Sequence, residues 1–166
     1  MHRNRIVGVI LAVTIAVAAI AGVMYLVVDP STDGVVDAES GDEARRVVAD
    51  LEEGSSADYQ QAYERAQAFQ REGRLADAQL LYFYAARGGH AQSELALATM
   101  NDPNHHSEET SLLSEPDPFQ SYKWYSAAVE HGAASASTRL EALHEWAEEA
   151  AADGDLEAER LLLQWQ

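Results

Sequence analysis

From Ile6 to Val28 the chain runs for 23 residues without a charged side chain. At 1.5 Å per helical residue such a run spans about 34 Å, more than the ~30 Å hydrocarbon core of a bilayer. The pattern therefore predicts a transmembrane helix, and residues 1–28 are read as a membrane anchor. Residues 29–41 carry Pro30, Gly34, Gly41 and several acids with little apolar periodicity, the pattern of a flexible acidic linker.

Beyond the linker the apolar positions recur at helical spacing, and residues 42–166 are read as one helical domain. Ser40-Gly41-Asp42-Glu43 has the Ser-x-x-Glu spacing of a capping box, and Val47, Val48 and Leu51 follow, which predicts a first helix near 42–53. Ser55-Ser56-Ala57-Asp58 starts a second, with Tyr59, Ala62, Tyr63, Ala66 and Phe69 on one face until Gly73. Leu75, Ala78, Leu81, Tyr82 and Ala85 mark a third that stops at Gly88-Gly89, so that these two form a helical hairpin. A fourth covers about 90–100. Residues 101–117 then lose the period apart from Leu112-Leu113, and are read as a long insertion loop. Asp117-Pro118-Phe119-Gln120 supplies an N-cap and a Pro at the first helical position. Phe119, Tyr122, Tyr125, Ala128 and Val129 carry that helix to Gly132. Ala136, Leu140, Leu143, Ala147 and Ala150 carry another to Gly154, and Leu156, Leu161, Leu162 and Trp165 a last one.

The chain also repeats itself. A shift of 43 residues lays Leu81-Tyr82 on Trp124-Tyr125, Ala85 on Ala128, Gly89 on Gly132, Ser93 on Ala136 and Leu97 on Leu140. A further shift of 22 lays Trp124 on Trp146, Gly132 on Gly154, Ala136 on Ala158 and Leu140 on Leu162, as a contracted third copy. Self-similarity at such periods marks a helical solenoid. Large aromatics fill the space between helices, Ala permits close crossing, and Gly ends a helix at positive φ without a Cβ penalty.

The blocks Leu81-Tyr82, Ala85-Ala86, Gly89-His90-Ala91 and Trp124-Tyr125, Ala128-Val129, Gly132-Ala133-Ala134 resemble the Sel-like repeats (SLR), and the hairpin from Tyr59 to Gly89 resembles the related tetratricopeptide repeat (TPR). The likeness covers roughly residues 59–165. The chain departs from the Sel-like pattern at Leu81, where that family prefers Trp, at Val129, where it prefers Ala, and in the length of the 101–117 segment. The resemblance implies an all-α fold, a short α-solenoid of antiparallel helix pairs. It implies scaffolding or adaptor work in protein complexes, often in the bacterial envelope, and carries over no catalytic residue.

Charge narrows the choice of partner. Of 11 bases and 28 acids, only Arg3 and Arg5 precede the apolar run, so the segment after Val28 has nine bases against all 28 acids, a net charge of −19. Nucleic acid needs a basic footprint, so this excess argues against it, and against a surface lying on anionic lipid. It suits high salt or a basic partner. Arg3 and Arg5 before the run, and acids after it, place the N-terminus in the cytoplasm by the positive-inside rule. The expected location is a single-pass inner-membrane protein with its C-terminal domain in the periplasm. The alternative is secretion after cleavage near Ala19-Ile20-Ala21, although Val23 to Val28 prolongs the apolar run past that site. With no Cys there is no disulfide, thiolate nucleophile or Cys-based zinc site.

Candidate chemistry is sparse. His105-His106 with Glu108 and Glu109 is the one cluster of metal-ligand type, but adjacent His side chains diverge and acid-rich loops are usually solvated, so no metal and no cofactor is assigned. His90, His131 and His144 are read as helix-end or surface residues. No Gly-x-Ser-x-Gly turn or Gly-rich phosphate loop occurs, and the expectation is a protein that is not an enzyme. The expected partner is another envelope protein. Candidate contact residues are Leu112 and Leu113, as a short apolar anchor in the loop, with Tyr84 and Trp165 as the aromatics left partly exposed while most others pack in the core.

Overall fold

The computed structural model describes residues 41–51 and 55–166, all within one packed unit. The expected anchor at 1–28 and all but the last residue of the linker at 29–41 lie outside the described residues. Among the described residues no helix is long and apolar enough to cross a membrane.

All regular structure described is helical: α1 (Asp42–Asp50), α2 (Ser56–Arg71), α3 (Leu75–Arg87), α4 (Ala91–Asn101), α5 (Pro118–Glu130), α6 (Ala136–Ala152) and α7 (Leu156–Leu162), followed by a 3₁₀ turn, Leu163–Trp165. Each helix from α2 onward packs on its neighbour in sequence, most extensively α2 on α3 and α4 on α5, while α1 packs on α3. Short turns between α2 and α3 and between α3 and α4 force the chain to double back each time.

Local signals explain most boundaries. Ser55 caps α2 through Ala57 N–H (3.2 Å), Asp117 caps α5 through Gln120 N–H (3.0 Å), and Asp155 caps α7 through the N–H groups of Glu157 and Ala158. Pro118 follows Asp117 at the first helical position, where its missing N–H costs nothing. Beyond the last turns of α2, α3, α5 and α6 stand Gly73, Gly89, Gly132 and Gly154, all at positive φ. Gly89 and Gly132, which the 43-residue shift superimposes, have φ of 80° and 86°.

The first and last helices differ from the sequence pattern at their ends. The first helix ends at Asp50 rather than near residue 53, and its N-cap is Gly41, which offers no side chain to the helix. Asp77 of α3 replaces the expected capping box with a tertiary contact. Its Oδ1 accepts from Ala44 N–H (2.9 Å) while Oδ2 takes Arg74 Nε and Nη2 at 3.1 and 2.7 Å. A buried carboxylate so satisfied joins the start of α1 to α3. The last helix stops at Leu162 and tightens into the 3₁₀ turn.

Three adjoining clusters form the core. Ala44, Phe69, Ala78, Leu81, Tyr82, Leu97 and Met100 bring together α1 to α4. Ala98, Tyr125 and Leu143 continue it between α4, α5 and α6, and Ala128, Ala133 and Ala136 close the α5–α6 turn. Tyr82 and Tyr125, one repeat apart, are both buried, as are Ala85 with Ala128 and Ser93 with Ala136. Trp124 departs from the expected burial. It is half-buried, packing against both of the first two clusters and edge-on to Phe83 with ring centroids 6.0 Å apart. An indole there covers the seam between two clusters, whereas the smaller Leu81 fits wholly inside one.

Candidate functional site

Residues 102–117, which link α4 to α5, are built around one buried carboxylate. Asp102 is fully buried, and its Oδ2 accepts the Tyr125 hydroxyl at 2.8 Å and pairs with His105 Nδ1 at 2.7 Å. Its Oδ1 takes Asn104 N–H at 2.9 Å, and its carbonyl takes the N–H groups of His105 and His106. Asp-Pro-Asn is thus a turn whose side chain folds back on its own backbone, the behaviour that makes Asp and Asn turn residues. Further along, Ser107 pairs with Thr110, Ser111 Oγ takes Leu113 N–H, and His106 Nε2 meets the Leu113 carbonyl at 2.9 Å. Asn104 Nδ2 reaches the Ala142 carbonyl of α6 at 3.3 Å. Burial raises the Tyr125 phenol pKa to about 12; Thr99 and Arg139 oppose the rise, and the bond to Asp102 adds to it.

This segment forms a wall of a groove of about 340 Å³, whose other sides come mainly from α2 and α4, with Tyr82 from α3. Tyr63, Gln67 and Gln70 come from α2, Gln92 and Thr99 from α4, and Arg139 from α6, with His105 and Thr110 from the linking segment. Among the described residues no Asp or Glu lines it. A second cavity of about 610 Å³ shares Gln67, Gln70 and Thr110 with it and adds Arg71 and Glu109. Two side-chain amides of α2, those of Gln67 and Gln70, are half engaged. Gln67 donates its Nε2 to Tyr63 Oη (2.9 Å), and Gln70 accepts from Tyr82 Oη (2.8 Å), which leaves a carbonyl on the first and an NH₂ on the second.

The residues picked from sequence lie elsewhere on the surface. Leu112 and Leu113 are 56% and 39% exposed on the linking segment. Tyr84 is half-buried in an aromatic cavity of about 610 Å³ with Val48, Tyr59, Leu80, Phe83 and Arg87. Trp165 is half-buried against the Tyr122 and His144 rings (4.6 and 4.8 Å) in a third cavity, beside Glu141, Glu145 and Glu148. The four therefore fall on three separate surfaces. Among the repeat aromatics, Tyr82 and Tyr125 are enclosed, while Tyr84, Trp124, Trp146 and Trp165 keep part of their surface in water.

His105 and His106 turn to different partners, and among the described residues no three His, Asp or Glu side chains converge as a metal site would require. His90 is the N-cap of α4: its Nδ1 accepts Ser93 N–H (3.3 Å), its Nε2 meets Gln60 Oε1 (3.0 Å), and burial lowers its pKa. His131 ends α5 and places Nδ1 2.9 Å from both oxygens of the buried Glu94. His144 lies mid-helix in α6 near Glu148.

Sequence reasoning missed Asp102, Arg139, Phe83 and the glutamines of α2. Asp102 precedes Pro-Asn at a helix end, a turn signal from which its position was readable. Its burial was not, because that depends on Tyr125 arriving from 23 residues away. Phe83 sits off the Leu81, Tyr82, Ala85 face and is 47% exposed.

No family model matches this chain, and no curated protein or solved structure matches it.

Proposed function

We propose that this chain is a non-catalytic adaptor of the bacterial envelope, held in the inner membrane by residues 1–28 and presenting a short Sel-like helical solenoid to the periplasm, where it holds another envelope protein. The observation that carries the reading is the groove lined chiefly by α2 and α4, to which α3 adds Tyr82 and α6 adds Arg139. A groove running across several stacked helices is the kind of surface a helical array uses for binding. The recurrence of buried Tyr82 and Tyr125, and of the positive-φ Gly89 and Gly132, at one repeat length supports the same register. The hydropathy of Ile6 to Val28 and the placing of Arg3 and Arg5 support the anchor and its orientation.

Small side chains at Ala19, Ala21 and Gly22 favour a second reading, a periplasmic module released by signal-peptide cleavage. Cell fractionation separates the two. An anchored chain is recovered with membranes at its full 18.1 kDa, and a soluble product about 2 kDa lighter would reject the anchor. In-cell crosslinking with mass identification tests the adaptor role itself: a reproducible envelope partner is expected, and a chain that crosslinks to nothing would reject it.

A further inference from the structure

The region after Val28 has about three acids for every base, yet among the described residues the groove is lined by Arg139 and His105 and by no acid. Arg45, Arg65 and Arg74 all have carboxylate partners. Arg139, like Arg46, Arg71, Arg87 and Arg160, forms no ion pair among the described residues, but it alone of these has a buried nitrogen, Nη1, with no hydrogen-bond partner among them. A buried guanidinium N–H left without an acceptor is costly, so each such group calls for a physical explanation. Arg139 lies near the Tyr125 hydroxyl and favours its ionised form, and that hydroxyl and His105 are fixed to the same oxygen of Asp102. With Nδ1 committed to Asp102, His105 has Nε2 left for the groove.

We propose that this groove binds an extended peptide segment of the partner and that Arg139 receives a carboxylate from it, an Asp or Glu side chain or a free C-terminus. This rests on the adaptor reading and names the partner's chemistry. Guanidinium and carboxylate match in geometry and charge. The free carbonyl of Gln67 and free NH₂ of Gln70 stand three residues apart on α2, one acceptor and one donor, the complement of a peptide group. The segment 102–117 thereby contributes through His105 and Thr110, on its groove side, rather than through Leu112 and Leu113.

The test uses the full chain in lipid nanodiscs, with linear peptides selected from a random library as the probe. Selected peptides are expected to share an Asp, a Glu or a free C-terminus, and Arg139→Gln to weaken them by about tenfold or more, the usual worth of a charge-assisted hydrogen bond. Amidating the peptide carboxylate should cost as much in the native chain and nothing further in Arg139→Gln. Should Arg139→Gln fail to fold, Gln67→Glu on the exposed face of α2 serves instead, since a carboxylate there repels the ligand's. Peptides without a carboxylate, no selected peptides, or affinities that neither substitution changes would overturn the proposal. In-cell crosslinking of Arg139→Gln separates the two readings. A partner captured equally by native chain and variant sinks the carboxylate site and leaves the adaptor, and capture of no partner by either sinks the adaptor.

Discussion

Two glycines show how one residue type serves different needs. Gly132 has φ of 86° with nothing within 4 Å of where a Cβ would stand, so its requirement is purely one of backbone conformation. Gly132→Val should lower stability by more than the ~1 kcal/mol typical of an incompatible glycine replacement, because a β-branched residue tolerates that region poorly. Gly88 has an ordinary φ of −85°, but a Cβ there would fall 2.2 Å from the Tyr59 ring. Gly88→Ala should cost roughly 1–3 kcal/mol through overpacking, and removing the ring with Tyr59→Ala should make the pair cost less than the sum. Thermal melts of the four variants check both claims, and additivity at Gly88 and Tyr59 would refute the steric account. His90 adds a pH dependence. Burial lowers its pKa from the ordinary 6.5, so the folded chain binds fewer protons there than the unfolded chain, and this residue's share of stability falls as pH drops below that value. Melting temperature should therefore fall more steeply between about pH 7 and about pH 5.5 in the native chain than in His90→Asn, which keeps a capping acceptor. Parallel curves would show that His90 is not the titrating group.

At the scale of elements, helix positions were readable because their signals are local: a capping side chain, a proline at the first turn, a glycine past the last. Asp117-Pro118 and the glycines at 89, 132 and 154 mark ends the structure keeps. Where a boundary depended on a distant partner the sequence misled. The start of α1 draws its cap from Asp77, 33 residues away, and no local spacing encodes that bond. The groove was illegible for the same reason, since α2, α4 and α6 bring to one place side chains from Tyr63 to Arg139 that share no motif. Trp124, whose position in the repeat was plain, is less enclosed than its register suggested, so Trp124→Ala should cost nearer 2 than the roughly 3–5 kcal/mol of a fully buried ring. Asp102 is the more sensitive position. Asp102→Ala removes the acceptor of the Tyr125 hydroxyl, of His105 and of Asn104 N–H, and should destabilise by about 2–4 kcal/mol, leaving buried donors unmet. Hydrogen exchange should show residues 103–113 losing protection first. Protection unchanged in Asp102→Ala would mean that the segment holds its own shape.

For the whole molecule, a charge of −19 beyond Val28 makes self-repulsion a term in stability that salt can reduce. Melting temperature should rise between about 10 and about 150 mM salt as the Debye length shrinks to ~8 Å, and a flat curve would mean that the charges are too dispersed to repel. The order of packing has a kinetic consequence as well. Helices touch chiefly their neighbours along the chain, and α7, the last of them, rests chiefly on α6. Loops closed between such neighbours are short, so little chain entropy is spent before contacts form, and topologies of this kind fold in microseconds to milliseconds. Each hairpin can close as soon as its second helix is available, in the order in which the chain emerges, without waiting for the C-terminus. Fraying then proceeds from the far end, α7 before α6, and truncation after Ala152 should leave the unfolding of α2 and α3 almost unaltered.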